Sequence, residues 1–226
     1  MSKIEMVNIL KKGDFIKLDY TGRIKENNLL FDTTVEKIAK KENAFNPKVT
    51  YEPASIIVGA KKIIKGVDEA LLEMKVGEKR KIEIAPKKAF GERNLKLIKI
   101  IPQHEFKKRN ITPFPGMQIS LDNIMGRVLS VNSGRVKIDF NNPLAGKYVI
   151  YELEIKKLIK DPKEKIRSIC KYYGVNCSDV LLKTDEIELI VDKNIQRKKK
   201  EMITMDAKEY LNIKKLKFSE IFTNER

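Results

Sequence analysis

The 226-residue chain contains few of the residues on which many enzymes depend. It has one histidine, His104, two cysteines and no tryptophan. With a single histidine, nucleophilic catalysis by a Ser-His-Asp or Cys-His arrangement has little support. No run of about 18 apolar residues occurs, so no transmembrane helix is predicted. Histidine-assisted nucleophilic enzymes and helical membrane proteins are therefore both disfavoured.

The two cysteines do not form a metal motif. Cys170 and Cys177 are spaced C-x6-C, which is not zinc spacing, and His104 is far away in sequence. We predict two free thiols, with a local disulfide as the alternative, because cytosolic thiols usually stay reduced while hyperthermophile proteins are an exception. No metal and no cofactor are predicted.

The charge is strongly one-sided. There are 47 lysines and arginines against 31 acidic residues, a net charge of +16. This balance suits an anionic partner such as nucleic acid or the ribosome, or a Lys- and Glu-rich surface of the thermophile type. The solvated surface is favoured because no recognition motif accompanies the charge. The first 14 residues lack a signal peptide's apolar core and cleavage site, so a cytoplasmic location is expected.

The chain is organised around residues 56–74, which read as a strand, a glycine turn, an apolar link and a short helix. Val67, Ala70, Leu71 and Met74 fall at i, i+3, i+4 and i+7, one face of a helix. The link before this helix, at 63–64, is either a staple onto the core or the floor of a binding pocket. Alternating residues predict strands at 15–20 and 80–84.

The second half of the chain also carries signals for strands, a hairpin and helices. Short strands follow Gly91, and residues 132–134 predict a hairpin. Asp161, Pro162 and Glu164 predict a capped helix that ends at Gly174. A strand is predicted at 186–192, a solvated basic run at 197–200, a helix at 205–216 and a strand at 217–222.

Five motifs occur in a fixed order: DYTG at 19–22, LFDTT at 30–34, VGAKKIIKGVDEAL at 58–71, GEKRKIEIAPKKAFGE at 77–92 and NNPLAGKYVIYELEI at 141–155. In this order the chain resembles an FKBP-type peptidyl-prolyl isomerase. The gap between AFG and NNPLAG resembles the SlyD-type branch, in which a chaperone domain is inserted in the flap loop. The extra C-terminal segment resembles long-chain archaeal members.

The resemblance implies an α+β fold with an antiparallel FKBP-type sheet wrapped on a short helix. It implies an isomerase domain at 1–92 and 141–158, a small β-rich insert at 93–140 and a small α+β domain at 159–226. For the last of these, self-association as a homodimer and a second client surface both remain open.

The same resemblance implies a site that rotates X-Pro bonds without a covalent step. Asp32 would act on the twisted carbonyl, aided by Tyr20 and Phe31, while the Ile64 N–H would bind a substrate carbonyl. For Asp32 the alternative is a turn hydrogen bond. The remaining substrate-binding positions would be Ile63, Val67, Phe90, Leu144 and Tyr151.

Two positions depart from the human-type pattern of the family: Val67 stands where many members have tryptophan, and Phe90 replaces a tyrosine. The counterpart of a further wall aromatic is Ala54, which leaves that wall open. These changes remove a hydrogen bond and contact area, so tight macrolide binding is not expected. Isomerase activity should tolerate them, because the carboxylate and the apolar walls remain.

The insert supplies a candidate chaperone surface of apolar residues, some of which its own core needs. Expected partners are unfolded or partly folded proline-containing polypeptides. The rival functions are a chaperone without catalysis and a basic protein that binds nucleic acid or the ribosome. The candidate surface residues are Ile98, Ile100, Phe106, Phe114, Met117, Ile124 and Met125.

Overall fold

A computed structural model describes residues 9–121, 123–183, 186–191 and 195–220. The chain divides into two compact units, Met1–Arg23 with Leu30–Ile82 and Tyr151–Arg226, and Ile24–Leu29 with Glu83–Ile150. The elements are, in chain order, β1 (Phe15–Ile24), β2 (Leu30–Thr33), α1 (Glu36–Lys41), β3 (Ala54–Ile57), α2 (Lys65–Leu71), β4 (Lys79–Ile84), β5 (Ile98–Pro102), α3 (Gln103–Lys107), β6 (Gln118–Leu121), β7 (Ile124–Asn132), β8 (Arg135–Asp139), β9 (Val149–Ile159), α4 (Pro162–Tyr172), β10 (Cys177–Leu182), β11 (Glu186–Val191), α5 (Arg197–Leu211) and β12 (Lys215–Glu220).

The first sheet has the order β2-β1-β9-β4, and β3 also pairs with β1. Ile16 and Leu18 on β1 are buried, as the alternation predicts. On α2, Val67 and Leu71 are buried, and Met74 is buried in the turn that follows the helix. The α+β fold class is therefore confirmed, and in the first sheet β1 pairs antiparallel with β2 and with β3.

The C-terminal segment shares a core with the first sheet. Phe15 and Ile57 lie in one buried cluster with Ile159, Ile166 and Ile169. Phe15 is therefore buried although it precedes Ile16 on the strand, because side chains on both faces of the start of β1 are covered. The three-stranded sheet here has the order β10-β11-β12.

Helix α4 begins as its sequence predicts. The Asp161 carboxylate accepts hydrogen bonds from the Lys163 and Glu164 N–H groups at 3.3 and 3.1 Å, which satisfies free donors of the first turn. Gly174 follows the helix with φ +65°. Cys170 is buried and Cys177 is half-buried, and no disulfide joins these two described residues.

The sequence misplaced the last helix. Helix α5 starts at Arg197, so the basic run at 197–200 forms its first turn, consistent with the good helix propensity of lysine and arginine. The helix ends before Asn212, which is left-handed at φ +52°, and β12 begins within the range predicted as helix. Strand β11 is confirmed, β10 was not predicted, and residues 192 and 221–222 lie outside the described ranges.

In the second unit, a four-stranded sheet has the order β5-β8-β7-β6. The predicted hairpin joins β7 to β8 through Ser133 and Gly134, at φ +47° and +73°, as a type I′ turn requires. Among the helices in the described ranges, none is both long and apolar enough to cross a membrane.

Candidate functional site

Three aromatic rings and a carboxylate meet at one end of the first sheet. The ring centroid of Tyr151 lies 6.0 Å from that of Tyr20 and 5.7 Å from that of Phe31, the latter edge to face. The Tyr20 hydroxyl donates a hydrogen bond to Asp32 Oδ2 at 2.8 Å. We call these four residues the aromatic-carboxylate cluster.

A register shift between β1 and β2 helps to place Phe31. Gly22 pairs with Asp32 and Arg23 pairs with Leu30, which leaves Phe31 as the extra residue of a bulge. Such bulges redirect side chains. A Cβ at Gly22 would lie 2.6 Å from Phe31 Cζ and 3.1 Å from Tyr151 Cζ. The missing side chain of Gly22 is therefore what lets the Phe31 ring lie there.

The cluster combines one buried and two half-buried rings with an exposed carboxylate. Tyr151 is buried and Tyr20 is half-buried, while Asp32 is exposed. Burial raises the pKa of both tyrosines above its ordinary value, and the charge of Asp32 raises it further. The Tyr20 hydroxyl therefore remains a protonated donor at neutral pH, and Asp32 is its acceptor.

Threonines, rather than Asp32, provide side-chain hydrogen bonds to the turn after β2. Thr33 Oγ1 accepts from the Val35 N–H at 3.1 Å, and Thr34 Oγ1 accepts from the Tyr20 N–H at 2.9 Å. This arrangement leaves the Asp32 carboxylate directed to the Tyr20 hydroxyl, which favours a site role over the turn alternative.

Ile63 and Ile64 form a half-buried link into α2, and Val67 is buried in its first turn. Ile64 has extended φ and ψ of −60° and 139°, and its carbonyl accepts from the Val67 and Asp68 N–H groups. Within the described ranges, no acceptor lies on the Ile64 N–H. It is therefore a free donor at a helix start, where backbone donors lack intrahelical partners.

A buried carboxylate that the sequence analysis overlooked shapes the loop before α2. Asp68 Oδ1 accepts from the Gly59 N–H at 2.8 Å, and Oδ2 accepts from the Lys61 N–H at 3.0 Å. The sequence offered no clear signal, because Asp68 stands beside a second acidic residue, Glu69, in a helix of mixed polar and apolar residues. Asp68 holds the loop that carries Ile63 and Ile64.

Phe90 and Leu144 are half-buried and belong to the second unit. Phe90 follows the turn at Pro86–Lys88, and the Leu144 N–H donates to Asn142 Oδ1 at 2.8 Å. Ala54, which the resemblance matches to a wall position, begins β3 and is half-buried. A pocket role for Phe90 and Leu144 remains a prediction.

The candidate chaperone residues divide by exposure. Phe106 is only 2% exposed and lies in a buried cluster of the second unit with Val128, Val136 and Ile138, so its expected exposure is corrected: α3 turns this ring onto the sheet. Ile98 and Met117 are half-buried. The exposed members are Ile100, Phe114, Ile124 and Met125, and the analysis missed the exposed Leu95 and Leu129.

Two family models match the chain. The model described as FKBP-type peptidyl-prolyl cis-trans isomerase matches residues 7–107, and the model described as FKBP26, IF domain matches residues 99–144. A crystal structure of the three FKBP domains of wheat FKBP73 aligns with 18% identity over 71% of this chain and 45% of that one, at a TM-score of 0.37.

Curated relatives agree with the first model. The short-type peptidyl-prolyl cis-trans isomerase of Methanocaldococcus jannaschii is 35% identical over 67% of this chain and 95% of its own length. The isomerase SlyD of Helicobacter pylori is 25% identical over 60% of this chain and 75% of its own length. The chain therefore belongs to the FKBP-type peptidyl-prolyl cis-trans isomerase family, a family of isomerases.

Proposed function

We propose that this protein rotates X-Pro bonds at the aromatic-carboxylate cluster and holds unfolded polypeptide on its insert. The observation that carries the proposal is the meeting of Tyr20, Phe31 and Tyr151 with the hydrogen-bonded carboxylate of Asp32. The proposal includes the SlyD-type division into 1–92 with 141–158, 93–140 and 159–226, with the C-terminal extension of long-chain archaeal members. The match of an IF domain model to residues 99–144 supports the insert.

The reaction needs a particular kind of surface. Amide resonance sets a barrier of about 18–20 kcal/mol to rotation, and no bond has to be made or broken. The twisted amide has lost its resonance and has less charge separation than the planar one. An apolar wall with little water therefore favours the twisted state relative to the planar state. The three rings of the cluster provide such a wall.

The polar groups orient the substrate. We assign the free Ile64 N–H as the donor to a substrate carbonyl, because helix-start donors bind acceptors well. Asp32 fixes the Tyr20 hydroxyl through the 2.8 Å hydrogen bond and places a negative charge near the amide. Preorganised groups of this kind act without reorganisation during the reaction.

The insert offers an amphipathic face to a client chain. Ile98 pairs with Asp139 and Ile100 with Lys137, so these four side chains share one face of the sheet. Arg127 also pairs with Asp139, and alternation places Met125 on the same face. The opposite face holds the buried Val128, Val136 and Ile138. A face of exposed apolar and basic groups suits weak binding of unfolded segments.

Weak binding on the insert raises the local concentration of prolyl bonds at the isomerase site. Serine replacements at the four exposed residues, Ile100, Phe114, Ile124 and Met125, test this. We expect catalysed refolding of a proline-limited protein to fall about tenfold or more, because tethering is lost. Turnover of a short proline peptide should stay within about twofold, because its binding needs no second site.

The matched control carries serine at Leu181 and Leu182, exposed apolar residues on β10. It should leave both rates unchanged, and a selective loss of refolding activity there would move client binding to the C-terminal segment. Equal losses on both substrates in the insert variant would contradict the division of labour. Absence of peptide turnover in the wild-type protein would leave a chaperone without catalysis.

A further inference from the structure

A lysine in the loop before α2 makes a polar attachment to the C-terminal segment. Lys62 Nζ forms an ion pair with Asp206 of α5 and donates to the Tyr173 hydroxyl at 2.9 Å. The Tyr173 hydroxyl in turn donates to Asp206 Oδ2 at 2.7 Å. Lys62 Nζ also lies 4.7 and 4.8 Å from the ring centroids of Tyr172 and Tyr173. One cation is thus held by a carboxylate, a hydroxyl and two rings.

This attachment is shielded from water. The Lys62 and Asp206 side chains are 17% and 11% exposed, so their attraction is screened less than that of an exposed pair. Removing one partner of such a pair leaves an uncompensated charge, which is far more costly than losing a surface ion pair. By contrast, the ion pair of Lys171 with Glu52 has partners that are 61% and 43% exposed. The Lys62 attachment is therefore the stronger of these two polar connections.

The attached loop is also backbone-strained. Lys61 is left-handed at φ +56°, a conformation that a residue with a Cβ adopts only when its surroundings require it. Asp68 holds the Lys61 N–H from the α2 side, and the Lys62 attachment holds the next residue from the C-terminal side. Ile64, which carries the free N–H, follows two residues later.

We propose that the C-terminal segment positions the isomerase site, with Asp206 and Tyr173 as positioning residues that act through Lys62 on the Ile64 N–H. This rests on the proposed role of that N–H in binding a substrate carbonyl. It gives residues 159–226 a task within the chain itself that requires neither self-association nor a second client surface.

Two conservative substitutions test the proposal in the full-length protein, with amide hydrogen exchange and peptide turnover as the readouts. Asp206→Asn removes the charge at nearly constant shape, and Tyr173→Phe removes the hydroxyl but keeps the ring. We expect faster amide hydrogen exchange at Ile63 and Ile64, because the loop opens more often. We expect kcat/KM for a short proline peptide to fall about 3- to 10-fold, because small misplacements of a binding group lower turnover.

The control and the rescue separate positioning from general damage. Glu220→Gln breaks a 2.9 Å ion pair with Lys200 in the same segment and should change neither readout. Exchange at Leu189 in the C-terminal core should stay slow in every variant, and Asp206→Glu should recover part of the lost turnover. Hydrogen exchange measured at Ile63 and Ile64 and, separately, at Leu189 shows whether Asp206→Asn has loosened only the attachment or the whole C-terminal segment.

Three results would overturn the proposal that the Lys62 attachment positions the Ile64 N–H. Unchanged loop exchange in Asp206→Asn, or faster exchange with unchanged turnover, would overturn the proposal. An equal loss in Glu220→Gln would also overturn it, since the effect would then be general. If the proposed isomerase function itself is wrong, Asp32→Asn will leave peptide turnover unchanged. That result differs from the results that would overturn the positioning role of Asp206, so the two failures are distinguishable.

Discussion

Gly22 is the residue at which a single missing carbon atom decides whether the site can form. Gly22 does not have a positive φ, so its backbone conformation would tolerate alanine. Alanine is excluded because its Cβ would lie 2.6 Å from Phe31 Cζ. We expect Gly22→Ala to lower the free energy of unfolding by about 1–3 kcal/mol, as overpacking does, and to lower peptide turnover.

A double-mutant cycle in urea unfolding checks the cause. Gly22→Ala should cost less stability in a Phe31→Leu background, because the smaller side chain makes room for the added methyl group. Identical costs in both backgrounds would show that the ring is not what excludes a side chain at position 22.

The tyrosines of the cluster predict a pH dependence of stability. The pKa of Tyr20 is raised by burial and by Asp32, so the unfolded state loses this proton first as the pH rises above about 10. The free energy of unfolding should therefore fall with rising pH in that range. Tyr20→Phe should make the fall shallower, as measured by urea unfolding between pH 9 and 11.

The titration can be followed directly, since the chain has seven tyrosines and no tryptophan. Tyrosinate absorbance sums all seven tyrosines, so the difference between the wild-type protein and Tyr20→Phe isolates the titration of Tyr20. Tyr148→Phe, at an exposed tyrosine, is the matched control. An unchanged slope in Tyr20→Phe would refute the raised pKa assigned to Tyr20.

At this scale, the structure brings together Tyr20, Phe31, Asp32 and Tyr151, four of the residues that motif order grouped in one site, and their site roles stay a prediction. It did not predict the roles of Gly22 and Asp68, because a missing side chain and a loop-holding carboxylate depend on three-dimensional approach. It also offered Phe106 as exposed, since an apolar residue next to Lys107 and Lys108 gives no local sign of which face it occupies.

Among the elements, α4 shows how much a local signal can specify. Its start depends on the Asp161 carboxylate, which receives two backbone N–H groups. Asp161→Ala should lower the free energy of unfolding by about 1 kcal/mol, a typical cap contribution. Asp161→Asn keeps an acceptor and should cost less in the same urea titration. Equal losses for both variants would show that the cap oxygen does not matter.

Other element boundaries depend on tertiary contacts. Helix α5 extends back to Arg197, although its first turn is a basic run with no apolar signal. Ile203 and Ala207 are buried in the core shared with the first sheet, and packing of that face stabilises a helix beyond its local propensity. Strand β10 escaped prediction because Cys177–Leu182 mixes polar and apolar residues without strict alternation.

For the whole molecule, the sequence predicted an α+β chain with an isomerase fold, an insert and a C-terminal extension. The separate C-terminal domain stays a prediction, and in the structure Phe15 and Ile57 pack in one buried cluster with residues of that segment. Such long-range contacts leave no periodic pattern in the chain, because Phe15 looks like any residue that begins a half-buried strand.

The central claim is that prolyl bonds rotate at the aromatic-carboxylate cluster without a covalent step. The most direct measurement is kcat/KM for a short proline peptide in wild-type protein and in Asp32→Asn, which keeps the shape of the side chain. The account predicts a loss of about tenfold or more, the order of removing one preorganised electrostatic group, with an unchanged unfolding transition. Equal turnover in the two folded proteins would contradict it.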